Sequence, residues 1–528
     1  MRVAPARDDA ARSPGPSAAA VAAAAVRLDR DERAALLAAL LAALVARGAL
    51  FCTAVLSTDD FVYFFGDNVL RKETLDLVLQ GGRWLLLLSL GLHDLAEATP
   101  PQAFTLLPLA THAALAWLFL VASRPWGLRG GGDRALLAAA FVVHPIGAEY
   151  VHFQLGQLAY AAAFAGAALF AELSRRGGRG RAAGAGVALF LAIAAYPIAI
   201  HFALLIVVLD FAAAFLRTGS LAEARAAARP VARAALVVLV TAVFFLAWKL
   251  SLPALGLEPE VRSALLDPAA AWRRLGEFLG TAGELAFGYE PDHAFGYKRL
   301  LPPALQALTV AGWLLLAWAL VLARRPARLA VVGAALAAGL VCVFGTALLL
   351  AFWWPAPRVL GAYGLLVMFP LGVVLAGAGG PRARSAGRLL AGGVLALGCW
   401  TGNRVAHDGL LLRDQEAALA VRVVQRLEAA PGFDARLPVV VVAAAASRLP
   451  LRPVSTLVGD LNFPALAKVW ADVGVLNRAT GYRFVRADPA AVARAEAYCA
   501  AAGAPWPAAS AVTVLDGGVG VACLTPAP

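Results

Sequence analysis

Two adjacent carboxylates, Asp59 and Asp60, follow the first long apolar run, in the stretch VLSTDDFVYFFGDNVLRKETLDLVLQGGRWLLLLSLGL that begins at Val55. Ionised acids beside hydrocarbon are costly, so such a pair is kept for chemistry, for an ion pair, or because it sits in water. A carboxylate with an ordinary pKa of about 4 is ionised at neutral pH and accepts a proton from a hydroxyl as that hydroxyl attacks, help worth about 10²–10⁴ in rate. Two neighbours divide the labour: one is the base, and the other orients the acceptor or pairs with a cation. Asp60 is the preferred base because it lies nearer the loop expected to frame an acceptor, with Asp59 beside it. The alternative is a pair of solvated loop acids.

Cations able to hold a phosphate stand on the same side of the apolar segments. They are Arg83 in GGRW, Lys249 in FFLAWKLSLP, Lys298 and Arg299 in FGYKRL, and Arg358 in FWWPAPRVL. Arg358 is preferred, since a guanidinium grips phosphate oxygens bidentately and a short Trp-Pro turn holds it in place. The competing reading for each is a snorkelling anchor at a helix end. In HPIGAEYVHFQLGQ, the residues His144, Glu149 and His152 lack the spacing of a closed metal site; Glu149 reads instead as a partner for an acceptor hydroxyl. Tyr289 in FGYEPDHAFGYKRL belongs to a loop where aromatics alternate with charges, as for stacking on a sugar or for an aromatic belt at a membrane surface. No metal ligand set, phosphate loop, dinucleotide fingerprint or serine triad is recognisable, so no cofactor is expected.

These residues must be positioned by membrane helices. The chain of 528 residues is 61% hydrophobic and 15% charged, with a mean hydropathy of +0.73, outside the range of soluble domains. Its net charge of +12 is carried by short Arg runs between apolar segments, not by one basic face, which excludes nucleic acid as the partner. At roughly 20 apolar residues per crossing, about eleven spans are expected: 34–56, 102–122, 134–147, 155–174, 185–197, 199–216, 234–252, 301–323, 329–352, 359–379 and 389–402. The run 185–216 is divided at Pro197, which breaks the helical ladder.

Alternate connections are dense in Arg, which by the positive-inside rule puts the N-terminus in the cytoplasm and the C-terminus outside. Residues 1–33 read as a disordered cytoplasmic tail. The loops 57–101 and 253–300 then face outward. Within the first, Val69, Leu70, Leu75, Val78 and Leu79 share one face of a helix lying at the interface. Arg47, inside the first span, should face the protein interior and pair with an acid. From Asn403 the hydropathy falls: an amphipathic helix, a strand at LPVVVV and two strands joined by DGG make an outer α/β or α+β domain over 403–528. Cys499 and Cys523 fall there, where a disulfide is permitted.

The acid pair, the amphipathic stretch and Gly82-Arg83-Trp84, together with NRVAHDGLLLRDQEAALAVRVVQRLEAAPGF and APWPAASAVTVLDGGVGVACL near the end, resemble the GT-C class of membrane glycosyltransferases. Within that class the resemblance is to the serotype-converting glucosyltransferases that modify O-antigen. It implies an inverting, metal-independent transfer of a hexose, glucose in that family, from a polyprenyl-phosphate carrier to a surface glycan of the cell envelope such as lipopolysaccharide. The site would lie at the outer face of the cytoplasmic membrane, with the C-terminal domain in the periplasm. The rival is a transporter or flippase of lipid-linked glycans, against which stand the lack of internal repeats and the scarcity of polar residues within the spans. A membrane-anchored binding protein would leave the first outer loop unexplained.

Overall fold

The computed structural model describes residues 27–52, 55–95, 107–128, 130–260, 264–288, 296–443, 449–501 and 506–524. The expected tail through residue 26, Tyr289 and the Lys298 side chain lie outside them. The first helix, α1 (Arg30–Cys52), starts within the expected tail. A reciprocal cap explains this: the Asp29 carboxylate accepts from the Glu32 N–H at 2.7 Å, and the Glu32 carboxylate from the Asp29 N–H at 3.1 Å, satisfying donors that a helix start leaves bare.

The chain is a polytopic helical bundle. Three short helices follow α1: α2 (Thr58–Phe65), α3 (Asn68–Gln80) and α4 (Leu86–Leu95). Then come α5 (Leu107–Ser123), α6 (Gly131–Val142), α7 (Glu149–His152), α8 (Gln157–Arg176), α9 (Arg179–Ala195), α10 (Ile198–Thr218), α11 (Leu221–Ala228) and α12 (Pro230–Ser251). After α13 (Ala271–Phe287) and α14 (Tyr297–Leu300), the bundle closes with α15 (Pro303–Leu322), α16 (Pro326–Phe344), α17 (Tyr363–Leu375) and α18 (Gly380–Glu428). Among the described residues, seven helices are long and apolar enough to cross a membrane, or eight if the bent pair Gly131–Val142 and Pro145–His152 is one broken span. The three remaining expected spans fall on α9, on the 13-residue α17 and within α18. These are too short or too polar by that measure, so length and composition alone do not support eleven crossings.

The bundle has two chemically different ends. At one, arginines are paired with acids: Arg124 with Glu32 at 2.8 Å and Glu172 at 2.7 Å, Asp210 with Arg175 at 2.8 Å and Arg233 at 2.7 Å, and Arg388 with Asp133 at 2.7 Å. The chain reverses at Pro197, which caps α10 after Tyr196 ends α9. Both Arg-rich connections around this hairpin therefore share one end.

Arg47 is 1% exposed and departs from helical geometry (φ −142°, ψ 20°). Its guanidinium donates to His112 Nε2 at 2.6 Å and to the His144 carbonyl at 3.3 Å. The expected acid partner is replaced by a neutral imidazole, whose Nδ1–H donates to the Pro108 carbonyl at 2.7 Å. That third bond fixes which ring nitrogen accepts.

At the other end lies the C-terminal domain. Helix α18 is continuous for 49 residues, so no break separates the last apolar run from the domain's first helix. A four-stranded sheet follows: β1 (Pro438–Val442) lies between β2 (Val485–Arg486) and β4 (Val519–Cys523), parallel to both, and β3 (Val512–Leu515) pairs antiparallel with β4. The DGG turn joins β3 to β4 with Gly517 and Gly518 both at positive φ (91° and 72°), a hairpin geometry that glycine adopts without strain.

Two further helices, α19 (Asp472–Thr480) and α20 (Pro489–Ala501), complete the domain. Its apolar core also takes in Leu56, Phe61, Val62 and Leu70 from the first outer loop. Gly474 of α19 rests on the Phe61 backbone, where a Cβ would come within 2.3 Å of the Phe61 carbonyl oxygen.

Cys499 of α20 and Cys523 of β4 form a disulfide across 24 residues. Closing a loop of that size removes unfolded-state entropy worth about 3 kcal/mol. Replacing both cysteines by serine is expected to lower the stability of the domain by about 2–4 kcal/mol, read as an earlier denaturant midpoint for its unfolding in the full-length chain.

Candidate active site

The two acids of the pair have opposite surroundings. Ser57 caps α2, and its hydroxyl accepts from the Asp60 N–H at 3.2 Å while the Asp60 carboxylate accepts from the Ser57 N–H at 2.7 Å and hydroxyl at 2.9 Å. The same carboxylate accepts from the backbone N–H groups of Gln154 at 3.2 Å and Leu155 at 3.0 Å. Asp60 is fully buried. Burial raises its pKa to about 6, against the hydrogen bonds from Leu155, Ser57 and Gln154 that favour the ionised form.

Asp60, expected as the base, instead has its acceptor sites committed to joining the segment after α1 to the turn before α8. Asp59, one position earlier and about 100° round the helix, is exposed and lines a cavity.

That cavity, about 500 Å³, lies between α3, the turn after α7, the 345–362 connection and the C-terminal domain. Helix α3 presents Leu70, Glu73, Thr74, Leu77 and Val78 to it, a stripe at helical spacing. This stripe shares only Leu70 and Val78 with the expected apolar face, and Val69 of that face is 61% exposed.

The GGRW turn has a local physical cause. Gly82 adopts φ +69°, and a Cβ there would touch the Trp248 indole at 3.4 Å. The Trp248 Nε1–H donates to the Leu79 carbonyl at 2.9 Å, which holds the turn so that Arg83 lines the cavity while Trp84 packs on Phe244. Arg83 lies 4.0 Å from Glu260. A second space of about 200 Å³ adjoins the first, and Arg83, Tyr196, Phe352, Trp354 and Arg358 line both.

Arg358 also lines the cavity, but it is held from behind. Its guanidinium donates to the Glu149 carboxylate and, at 3.0 Å, to Asp460; its backbone N–H donates to Glu149 at 2.8 Å, and its guanidinium lies 4.7 Å from the centre of the Phe153 ring. Burial alone would lower its pKa; Glu149, Tyr196 and Asp460 outweigh burial and hold it well above the ordinary value. Arg358 is thus a permanent cation with two of its five N–H groups engaged by carboxylates and the rest available in a planar fork. Glu149 is 0% exposed and does not line the cavity. The structure therefore makes it the counter-ion of Arg358, not a direct acceptor contact.

Lys249 is likewise displaced from its expected role. It points outward from α12 beside Leu246 and Leu250, which are 61% and 69% exposed, because its neighbour Trp248 takes the inward position. Lys468 was not singled out in the sequence. It lines the cavity with Asp460 and Trp470, its ammonium 4.1 Å from the Phe463 ring centre and 4.9 Å from that of Trp470. The aromatic flanks in NFPALAKVW were the available signal. Tyr160, Tyr196, Phe352 and Trp354 add aromatic walls.

Comparison with protein-family models, with curated proteins and with solved structures gives no match. The site's own geometry generates a stability test. Asp60→Asn turns an amide toward a nest of N–H donors and is expected to cost about 1–3 kcal/mol, more than the same change at the exposed Asp59.

The pH dependence has a definite sign. The folded pKa of Asp60, about 6, lies above the ordinary value of 3.8 for an exposed Asp, so between these values the folded state holds a proton that the unfolded state has released. The Asp60 contribution to stability is greatest below pH 4 and declines as pH rises through 6; that component should vanish from the melting profile of Asp60→Asn. Removing Arg358 alone strands Glu149, and Arg358→Ala is expected to destabilise by about 3–5 kcal/mol. Arg358→Met combined with Glu149→Gln should recover much of that loss in thermal unfolding.

Proposed function

We propose that the protein is a GT-C-type hexosyltransferase that moves a sugar, glucose by the resemblance, from a polyprenyl-phosphate donor to a hydroxyl of a cell-surface glycan. One observation carries the reading: a single cavity at the end of the bundle away from the paired arginines is lined by Asp59, by the cations Arg83, Arg358 and Lys468, and by aromatic side chains. Asp59 takes the proton of the acceptor hydroxyl while the hydroxyl oxygen bonds to the anomeric carbon. The bond from that carbon to the phosphate oxygen breaks on the opposite face, giving inversion. Negative charge grows on the leaving phosphate, and fixed cations at that position stabilise it more than they stabilise the bound donor. Aromatic faces stack on the sugar, and Glu73 and Asp460 are placed to accept from its hydroxyls.

In this reading the bundle is embedded in the cytoplasmic membrane with about eleven crossings, the three shorter or more polar helices being shielded by neighbours, and the cavity opens at its outer face. A translocation path would need a polar route through the bundle. Between the two ends the packing is instead mostly apolar, with Phe119 stacked on Phe141 at 5.0 Å and Phe164 edge-to-face with Phe202 at 5.5 Å, which favours transfer over transport.

With purified protein, a polyprenyl-phosphate hexose and a surface-glycan acceptor, Asp59→Asn is expected to lower kcat by about 10²-fold or more. Near-normal turnover in that variant would remove the proposed base. Arg83→Gln, which strands no buried acid, should weaken donor use about tenfold, the scale of one charge-assisted hydrogen bond. For orientation, reporters within 57–94 and at the C-terminus should be extracytoplasmic and those at 124–134, 175–183 and 218–232 cytoplasmic; a cytoplasmic C-terminal domain would put the cavity on the wrong side.

A further inference from the structure

At the Arg-rich end several arginines pair with acids. Three that do not share one pocket. Arg217 at the end of α10, and Arg325 and Arg328 at the start of α16, line a separate pocket of about 220 Å³. No Asp or Glu is among its lining residues, and among the described residues none of the three forms an ion pair. Arg217 donates to the Pro125 carbonyl, which steadies it without neutralising it.

The opposite wall is the turn Ala376–Gly379 between α17 and α18. Gly377, Gly379 and Gly380 have φ of 121°, 90° and 79°, a backbone run open to glycine that leads directly into the first turn of α18. The 19-residue α16 also begins at this pocket. Two long helices therefore start beside it, and the first N–H groups of a helix are unsatisfied and carry partial positive charge.

Trp126 forms part of the apolar wall and is 2% exposed, the benzo edge of its indole packed on Gly372 of α17.

We infer that this pocket binds a phosphate group, either the headgroup of an anionic phospholipid or a free phosphate, held by Arg217, Arg325 and Arg328. The site is separate from the cavity that contains Asp59, and the inference does not depend on sugar transfer.

The test uses the full-length protein purified in neutral detergent and depleted of lipid. Dioleoyl phosphatidylglycerol, dioleoyl phosphatidylcholine, inorganic phosphate and pyrophosphate are titrated separately, with retained ligand counted by native mass spectrometry and stabilisation read by thermal unfolding. Wild type is expected to bind the phosphatidylglycerol, or the inorganic anions, at concentrations at least tenfold lower than phosphatidylcholine. Arg325→Gln with Arg328→Gln should abolish that preference, and Arg382→Gln, an exposed arginine at the same end, should retain it. Tight phosphatidylglycerol binding that phosphate does not displace identifies a lipid headgroup; phosphate or pyrophosphate binding with no lipid preference identifies a free phosphate.

Arg217→Gln alone should weaken binding by about 3- to 10-fold, the worth of one hydrogen bond, and serves as the test if the double variant does not fold. Absence of binding by all of these anions, or unchanged binding in the arginine variants, would overturn the proposal.

Discussion

A guanidinium shut away from water must be matched by carboxylate charge, and that requirement at Arg358 organises the cavity end of the molecule. Its two acids come from different parts of the chain: Glu149 from the broken helix of the bundle, Asp460 from the C-terminal domain. The Tyr150 hydroxyl donates to the Arg358 carbonyl at 3.0 Å and secures the same connection from a second side. Such an arrangement adds little net stability over apolar packing, because two desolvated charges cancel much of their own attraction. What it supplies is position. A cation fixed by acids behind it keeps its remaining donors aimed at one place, so charge developing there meets an environment that need not reorganise.

The neighbouring acids show how burial assigns roles to chemically identical groups. Asp60 spends its lone pairs on Ser57, Gln154 and Leu155, and this commitment fixes the turn on which Asp59 is presented. The grip extends outward: Asn477 donates to the Phe65 carbonyl at 2.9 Å, and the Arg486 N–H donates to the Asp67 carboxylate at 3.0 Å. The segment after α1 is thus held on one side by the bundle and on the other by the C-terminal domain. The run FVYFF supplies Phe61, Val62, Phe64 and Phe65 to that domain's apolar core.

Much of the architecture was legible because local pattern determined it. Apolar length marked the helices, Pro197 marked the hairpin between α9 and α10, and two consecutive glycines after Asp516 marked the β3–β4 turn. The acid pair was legible as a candidate but its internal division was not, although the spacing Ser57-x-x-Asp60 carries the signature of a reciprocal cap, which the structure shows at Asp60. Lys249 was misplaced because a helix turns about 100° per residue and the large apolar Trp248 took the inward position. Asp460 had no comparable mark, since its partner Arg358 lies far away in sequence, and for Lys468 the flanking aromatics were the one local sign. The excess of continuous helix in α18 was hidden for the opposite reason: a fall in hydropathy at Asn403 reads as a boundary, yet helix propensity does not change there.

That continuity has a consequence for how the chain can vary in length. Helix α18 runs from the Arg-rich end to the sheet, roughly 70 Å at 1.5 Å per residue, and receives the domain laterally: Asp408 accepts from the Ser455 and Thr456 hydroxyls at 2.7 and 2.8 Å, and Glu416 from the Leu466 N–H at 2.9 Å. The helix therefore sets an azimuth as well as a height. One residue inserted between Trp400 and Asp408 would swing the whole domain through about 100°, carrying Asp460 away from Arg358 and Lys468 out of the cavity wall. Loops of this protein can lengthen gradually, but this helix can change only in steps close to whole turns, so its length is a quantised coordinate on which the alignment of the two halves of the site depends.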